Sequence, residues 1–143
     1  INKTKSNASN EEEWFYPGDL GELDTNGYLY LRGRAKDIII RGGINIYPQE
    51  IENVIIQISD IQEVSVFSLP DDHYGEIVAA AIVVKHKNIT KNIMRECTRL
   101  LAPYKIPSII IELKELPKNS GGKILKDKLQ KIALENRKHE IEQ

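Results

Sequence analysis

The stretch that most constrains the fold runs from residue 33 to residue 52 and reads GRAKDIIIRGGINIYPQEIE. Three consecutive isoleucines at residues 38–40 favour an extended backbone, because β-branched side chains fit a pleated sheet. Gly42 and Gly43 can supply the positive φ values that a tight reversal requires. Pro48 suits the first position of a helix, since its missing N–H would have no partner there. The stretch therefore predicts a charged connector, a strand, a turn, a second strand and a helix.

Strands and helices continue to alternate after this stretch. Three further strands are predicted, at residues 63–69, 77–84 and 108–113. The second of them is continuously apolar, as expected for a strand that is covered on both faces, and residues 70–76 before it predict a turn-rich loop. Thr90 is the predicted N-cap of a second helix, and a third is predicted over residues 124–138. The predicted class is α+β, a small sheet with flanking helices.

The N-terminal part of the chain has a different character. Residues 1–13 are polar and aperiodic, which predicts an unstructured lead-in or a connector. Residues 20–23 and 28–31 are short apolar runs on either side of a turn that ends in Asn-Gly, a pattern typical of a β-hairpin. A two-stranded hairpin is marginally stable alone, and its exposed edge invites pairing. We therefore expect it to be mobile or to borrow a partner, self-association included.

Composition excludes several classes of function. A formal net charge of −1 gives no general reason to expect nucleic acid or an anionic membrane as a partner. His73 and His86 lack metal-ligand spacing to other histidines or to the single Cys97, so no metal site is predicted. One cysteine, no leader and no apolar run of about 20 residues predict a cytoplasmic protein. Because the chain begins at Ile1, we expect it to be a fragment.

Three ordered motifs resemble one protein family. They are the stretch at residues 33–52, YPGD at residues 16–19 and LPKNSGGK at residues 116–123. Together they are similar to the C-terminal part of AMP-forming acyl-CoA synthetases, a branch of the adenylate-forming superfamily, and the resemblance extends from Trp14 to Lys131.

The resemblance implies a division of the chain into domains. It makes residues 14–35 a hairpin remnant of the N-terminal large domain and residues 36–138 the C-terminal small domain. The lead-in precedes the remnant at residues 1–13, and a tail follows the small domain at residues 139–143.

The resemblance also implies a reaction. A carboxylic acid, ATP and CoA would give acyl-CoA, AMP and pyrophosphate, with Mg²⁺ entering as the ATP complex and bound mainly by the large domain. The small domain would rotate between adenylation and thiolation. Two alternatives stay open: the adenylation domain of a peptide synthetase, and a non-catalytic binding module of the same fold.

Three side chains are candidates for the adenylation step. The resemblance makes Lys123 the catalytic lysine, on a loop that residues 120–122 should make flexible; its ammonium would offset the negative charge that develops where carboxylate meets α-phosphate. Asp19 would accept hydrogen bonds from the ribose hydroxyls, and Arg34 would contact the ribose and a phosphate. The alternatives are that Lys123 is a solvated surface lysine, that Asp19 is a turn aspartate that binds its own backbone, and that Arg34 is a solvated linker arginine.

Four residues are candidates for rotation and thiolation. The resemblance makes Lys36 the hinge, and it makes Gly42 and Gly43 part of the pantetheine tunnel, where a ligand passes close to backbone without Cβ atoms. Lys105 is a candidate contact for the CoA phosphates. The alternatives are a solvated linker charge for Lys36, a simple hairpin turn for the glycines and a solvated surface for Lys105.

Overall fold

The computed structural model describes residues 18–86 and 89–141, with side chains through residue 139. The lead-in and the first two residues of the YPGD motif lie outside the described residues. The strands are β1 (Asp19–Leu23), β2 (Leu29–Arg34), β3 (Ile39–Arg41), β4 (Ile44–Ile46), β5 (Ile61–Asp71), β6 (Gly75–Val84) and β7 (Ile109–Glu112). The helices are α1 (Pro48–Ile55), α2 (Thr90–Leu100) and α3 (Lys126–Ile141), with 3₁₀ turns at Ala35–Asp37 and Pro103–Lys105.

The predicted hairpin is present as β1 and β2. The strands pair antiparallel, with Asp19 opposite Arg34 and Leu23 opposite Leu29. The Asp24 carboxylate closes the turn by accepting the backbone N–H of Tyr28 over 2.9 Å. The large apolar side chains of this hairpin are exposed, namely Leu23, Tyr28, Leu29, Tyr30 and Leu31. The hairpin is therefore formed, and more than half of each of these side chains stays exposed in the described part of the chain.

The other five strands form one mixed sheet centred on β6. β5 pairs antiparallel with β6 along one edge, from Ile61 opposite Val84 to Asp71 opposite Gly75. On the other edge of β6, β3 meets Gly75, and β7 runs parallel to residues 79–82. β4 extends the sheet beyond β3 as a hairpin partner.

The sheet separates two apolar cores. One face of β6 carries Val78, Ala80 and Ile82, which belong to the cluster formed with α1 and α2. The opposite face carries Ile77, Ala79, Ala81 and Val83, which belong to the cluster formed with α3. β6 is thus buried on both faces, as its continuous apolar sequence predicts. The predicted α+β class, a small sheet with flanking helices, is confirmed.

Several element boundaries differ from the predictions. The loop predicted at residues 70–76 is mostly strand: β5 continues to Asp71 and β6 begins at Gly75, so only residues 72–74 turn. Pro70 is tolerated because β5 is an edge strand, where a missing N–H costs no ladder bond. Thr90 is the first helical residue and not the N-cap, a position that Ile89 holds without a side-chain hydrogen bond.

The last helix begins and ends later than predicted. Ile124 forms an isolated antiparallel bridge with Lys118 and is therefore extended, so α3 starts at Lys126. It runs to Ile141, beyond the predicted domain end at residue 138. In the described residues, no helix combines the length and apolarity that crossing a bilayer demands.

Leu129 provides a test of the second core. Its side chain is fully buried between α3 and the sheet, so Leu129→Ala should lower the free energy of unfolding by about 2–5 kcal/mol. Lys131→Ala, two residues on and exposed, is the matched control and should change it by less than about 0.5 kcal/mol. Urea unfolding followed by circular dichroism measures both. Equal effects of the two substitutions would contradict this packing of α3.

Candidate functional site

A cleft of about 630 Å³ lies where the connector after β2, the start of α1 and the loop before α3 meet. The cations that line it are Arg32, Arg34, Lys36, Lys123 and Lys126. The carboxylates that line it are Asp37, Glu52 and Asp127. The fold thus brings together three residues that were predicted for nucleotide chemistry or hinge motion: Arg34, Lys36 and Lys123.

Lys123 is held by a hydrogen-bonded turn. The Asn119 side-chain oxygen accepts the backbone N–H of Gly121 and that of Lys123, each over 2.9 Å. The Asn119 N–H donates in return to the Lys123 carbonyl over 2.9 Å. The prediction of a flexible loop is wrong at this point, because these bonds fix the backbone of Lys123. Its exposed side chain therefore extends from a backbone position that the turn holds in place.

Lys123 shares the cleft with two other cations, Arg34 and Lys36. The neighbouring Lys36 side chain holds the pKa of Lys123 below its ordinary value. The positive charges of Lys36 and Arg34 lower that pKa further, and the Asp37 carboxylate opposes them in part. The sign follows from electrostatics, since a neighbouring cation disfavours the protonated form. Positive charge therefore accumulates around Lys123 in this cleft.

Asp19 is linked to the cleft by its contact with Arg34. The two residues face each other across the hairpin, with Arg34 Nε 3.5 Å from Asp19 Oδ1. Both side chains are exposed, so this ion pair leaves most of their hydrogen-bonding capacity open. Such a surface pair stabilises the fold little. The arrangement presents a carboxylate and a guanidinium side by side.

The Gly42-Gly43 turn lies outside the cleft, at the far end of β3. Its φ angles are +55° and +82°, which match a type I′ reversal and require glycine. The Gly42 N–H donates to the Tyr74 carbonyl over 2.8 Å. A Cβ built on Gly43 would meet no atom within 4 Å. Gly43 is therefore bare backbone that faces open space, whereas a Cβ on Gly42 would lie 3.6 Å from Tyr74 Cδ1.

Arg41 anchors this turn to its neighbours. Its guanidinium carbon lies 4.4 Å from the centre of the Tyr74 ring, a cation–π distance. Its Nη1 donates to the Tyr104 carbonyl over 2.9 Å. The position of the glycine turn is thus set by contacts from the turn between β5 and β6 and from the 3₁₀ turn before β7.

The Lys105 ammonium forms an ion pair with a carboxylate. Its Nζ donates to both Glu50 oxygens, over 2.8 and 2.7 Å, and its side chain is only 20% exposed. The contact ties the 3₁₀ turn to the first turn of α1. A role toward CoA phosphates would have to displace Glu50, and it stays a prediction.

Asn119 and Arg41 were not among the predicted site residues. Asn119 carried a usable signal, because asparagine two residues before glycine is typical of a side-chain-to-backbone turn. Arg41 carried a weaker one: it precedes a glycine pair, but its partners lie far along the chain at Tyr74 and Tyr104. Only the folded sheet brings them together.

Comparison with known proteins identifies the family. A sequence model described as the AMP-binding enzyme C-terminal domain matches residues 50–123, just over half of the chain. A long-chain-fatty-acid–CoA ligase of Mycobacterium tuberculosis is 47% identical over 114 residues, which cover 79% of this chain and 23% of that protein. A 2-succinylbenzoate–CoA ligase of Listeria monocytogenes is 43% identical over 128 residues, 90% of this chain and 27% of that protein.

A solved structure shows the same relationship. The o-succinylbenzoate CoA synthetase of Bacillus subtilis, in complex with its acyl-adenylate intermediate, matches with a TM-score of 0.78 and 35% identity. The match covers 90% of this chain and 27% of that one. The chain spans about a quarter of the length of the curated relatives it matches. Sequence and fold together show that this chain belongs to the family of AMP-binding enzyme C-terminal domains.

Proposed function

We propose that the chain serves as the small C-terminal domain of an AMP-forming acyl- or aryl-CoA ligase. The reaction would convert a carboxylic acid, ATP and CoA into acyl-CoA, AMP and pyrophosphate. The observation that carries the proposal is the convergence of Arg34, Lys36 and Lys123 on one cleft, apart from the bare glycine turn at the other end of β3. Two faces of one small domain would then serve two half-reactions.

In the first half-reaction, a carboxylate oxygen attacks the α-phosphorus of ATP, and the bond to the departing pyrophosphate breaks. Negative charge crowds the reacting centre, and the Lys123 ammonium would lie between carboxylate and phosphate oxygens. A preorganised cation at that position contributes several kcal/mol when water is excluded. The Asn119 turn supports this role, because it fixes the base of the side chain and spares part of the cost of orienting it.

The nucleotide would be held beside this lysine. Asp19 would accept hydrogen bonds from the ribose hydroxyls, while Arg34 would contact the ribose and a phosphate. Their separation of 3.5 Å supports a shared ligand, since one sugar-phosphate could reach both. Mg²⁺ would arrive as the ATP complex and be bound mainly by the large domain.

In the second half-reaction, the small domain would turn about Lys36 and present the Gly42-Gly43 turn. The CoA thiol attacks the acyl carbonyl of the adenylate, and AMP leaves. The turn supports this role because it offers backbone without side chains to a passing pantetheine arm. Lys105 remains a candidate contact for the CoA phosphates, provided that it leaves Glu50.

Among the alternatives, the relatives favour a CoA ligase. The relatives described above are named as ligases of a fatty acid and of 2-succinylbenzoate, which supports acyl-CoA formation over a peptide synthetase. The retained Lys123, Arg34 and Asp19 oppose a non-catalytic module. Fatty acid metabolism and a cytoplasmic location are parts of this proposal, as is cover of the hairpin by the large domain. Self-association of the uncovered hairpin is a further expectation.

A chimera tests the proposed function. This chain would replace the matching C-terminal quarter of the Bacillus subtilis synthetase, and CoA thioester formation from o-succinylbenzoate would be measured. We expect activity within about tenfold of the parent, and a loss on the order of 100-fold or more when the graft carries Lys123→Ala. The truncated parent without a graft gives the background.

Folding of the chimera is measured separately, by thermal unfolding and by AMP binding. A chimera that unfolds cooperatively and binds AMP, yet forms thioester no faster than the truncated parent, would contradict the proposal.

A further inference from the structure

The strand that leads into the glycine turn has little backbone attachment to β6. β3 is three residues long, and within the described chain its pairing with β6 is confined to Arg41 opposite Gly75. The Ile40 N–H instead donates to a side chain, the Glu76 carboxylate, over 2.7 Å. The chain enters the Gly42-Gly43 turn directly after Arg41. Side-chain contacts therefore contribute to holding this turn in place.

Arg41 is the side chain that reaches both loops beside the turn. Its guanidinium lies over the ring of Tyr74, in the turn between β5 and β6, and donates to the carbonyl of Tyr104, in the 3₁₀ turn before β7. The Tyr74 carbonyl also accepts the Gly42 N–H over 2.8 Å. One arginine thus joins three loops, at residues 42–43, 72–74 and 103–105.

The contact is built from both sides. Asp71 closes the turn that carries Tyr74, because its Oδ1 accepts the N–H of His73 over 3.0 Å and that of Tyr74 over 2.8 Å. The Nε of Arg41 is shut off from solvent and has no hydrogen-bond partner among the described residues. Burying an unpaired donor of a charged group is costly, and an arginine on a solvated surface avoids that cost. Arg41 is therefore held in this position by its contacts with the two loops.

We propose that Arg41 is a positioning residue for thiolation, which holds the Gly42-Gly43 turn where the thiol-bearing arm of CoA passes. The inference rests on the proposed function of that turn. Displacement of a reacting group by about 1 Å can slow a reaction by about 100-fold, so a turn that loses its supports should slow the step it serves. Arg41 has this effect without touching the ligand.

The first measurement is amide hydrogen exchange in the 143-residue chain, followed by NMR. Arg41→Met keeps an apolar stem and removes the guanidinium, and Arg95→Met, the matched control, removes an arginine of α2 whose side chain is 74% exposed. We expect the Gly42 N–H to exchange about tenfold faster in Arg41→Met, the loss of roughly one charge-assisted contact, and at its unmodified rate in Arg95→Met. The Gly122 N–H, hydrogen-bonded in the turn before α3, is the internal control and should not change.

The second measurement compares two thiols in the chimera described above, supplied with pre-made acyl-adenylate. Arg41→Met should lower kcat by about tenfold with CoA and with pantetheine alike, because both carry the same arm and only CoA carries nucleotide phosphates. KM for CoA should change less than kcat, since the loss falls on the transition state. Pyrophosphate release in the adenylation step should keep its unmodified rate, and Arg95→Met should leave both steps unchanged.

Two further variants test the contact from each side. Arg41→Lys keeps a cation beside the ring but loses the planar fork, so its exchange and thiolation rates should lie between those of the unmodified protein and Arg41→Met. Tyr74→Leu removes the ring. Combined with Arg41→Met, it should cost less than the product of the two single effects, because both substitutions remove the same contact.

A loss of rate with CoA that is absent with pantetheine would show that Arg41 contacts a phosphate of the nucleotide, and would overturn the positioning role. Unchanged Gly42 exchange in Arg41→Met, or faster exchange with unchanged thiolation, would also overturn it and would leave the ligase assignment intact. A chimera that forms no thioester would reject the proposed function and the role in thiolation with it, while the exchange data would still decide whether Arg41 holds the turn.

Discussion

Replacement of Lys123 by alanine in a full-length ligase carrying this domain is expected to slow acyl-adenylate formation by on the order of 100- to 1,000-fold. The ammonium would offset the negative charge that develops where carboxylate meets α-phosphate. Thiolation of a supplied acyl-adenylate should be nearly unchanged, because we propose that this step uses the other face. Pyrophosphate release reports the first step, and thioester formation from pre-made adenylate reports the second.

The control for this substitution is Lys131→Ala, which removes an exposed lysine from α3 outside the cleft. It should leave both steps unchanged. If Lys123→Ala slowed both steps by the same factor, the lysine would act on the fold or on domain orientation, and its assignment to adenylation would fail.

Gly43→Leu is expected to have the opposite effect. The open space around a Cβ at this position is the space that a pantetheine arm would occupy. A leucine side chain there should slow thiolation by on the order of 100-fold and leave adenylation unchanged, because displacement of a reacting group by about 1 Å already costs that much. Thioester formation from pre-made adenylate measures the block.

Backbone strain must be separated from the block, because φ at Gly43 is +82° and any L-residue there is strained by roughly 1–2 kcal/mol. Gly43→Ala carries the same strain with little bulk and should retain most of the thiolation rate. Equal loss in Gly43→Ala and Gly43→Leu would show that the turn needs its conformation only, and that no ligand passes beside it.

Much of the fold follows from local sequence patterns. The burial of β6 on both faces was predictable, because an uninterrupted apolar run leaves no polar face for solvent. The glycine turn was predictable because few other residues adopt two successive positive φ values. The hairpin of β1 and β2 followed from its Asn-Gly turn.

The rest of the fold and of the candidate site depends on contacts between residues that are far apart in the sequence. Whether Pro70 ends a strand depends on whether that strand lies at an edge, which the residues around it do not encode. The start of α3 was displaced because Ile124 pairs with Lys118, a bridge that competes with helix formation. In the same way, Lys36 and Lys123 line one cleft although they are 87 residues apart, and no local pattern predicts that they share it.

The most direct test of the two-face assignment compares the two half-reactions in one set of preparations. Pyrophosphate release and thioester formation from pre-made adenylate are measured for Lys123→Ala and Gly43→Leu, and each pair of rates is expressed as a ratio relative to the unmodified ligase. We expect the ratio of adenylation to thiolation to fall by on the order of 100-fold or more in Lys123→Ala and to rise by a similar factor in Gly43→Leu. Ratios that move in the same direction in both variants, or stay at the unmodified value, would contradict the assignment of one face to each half-reaction.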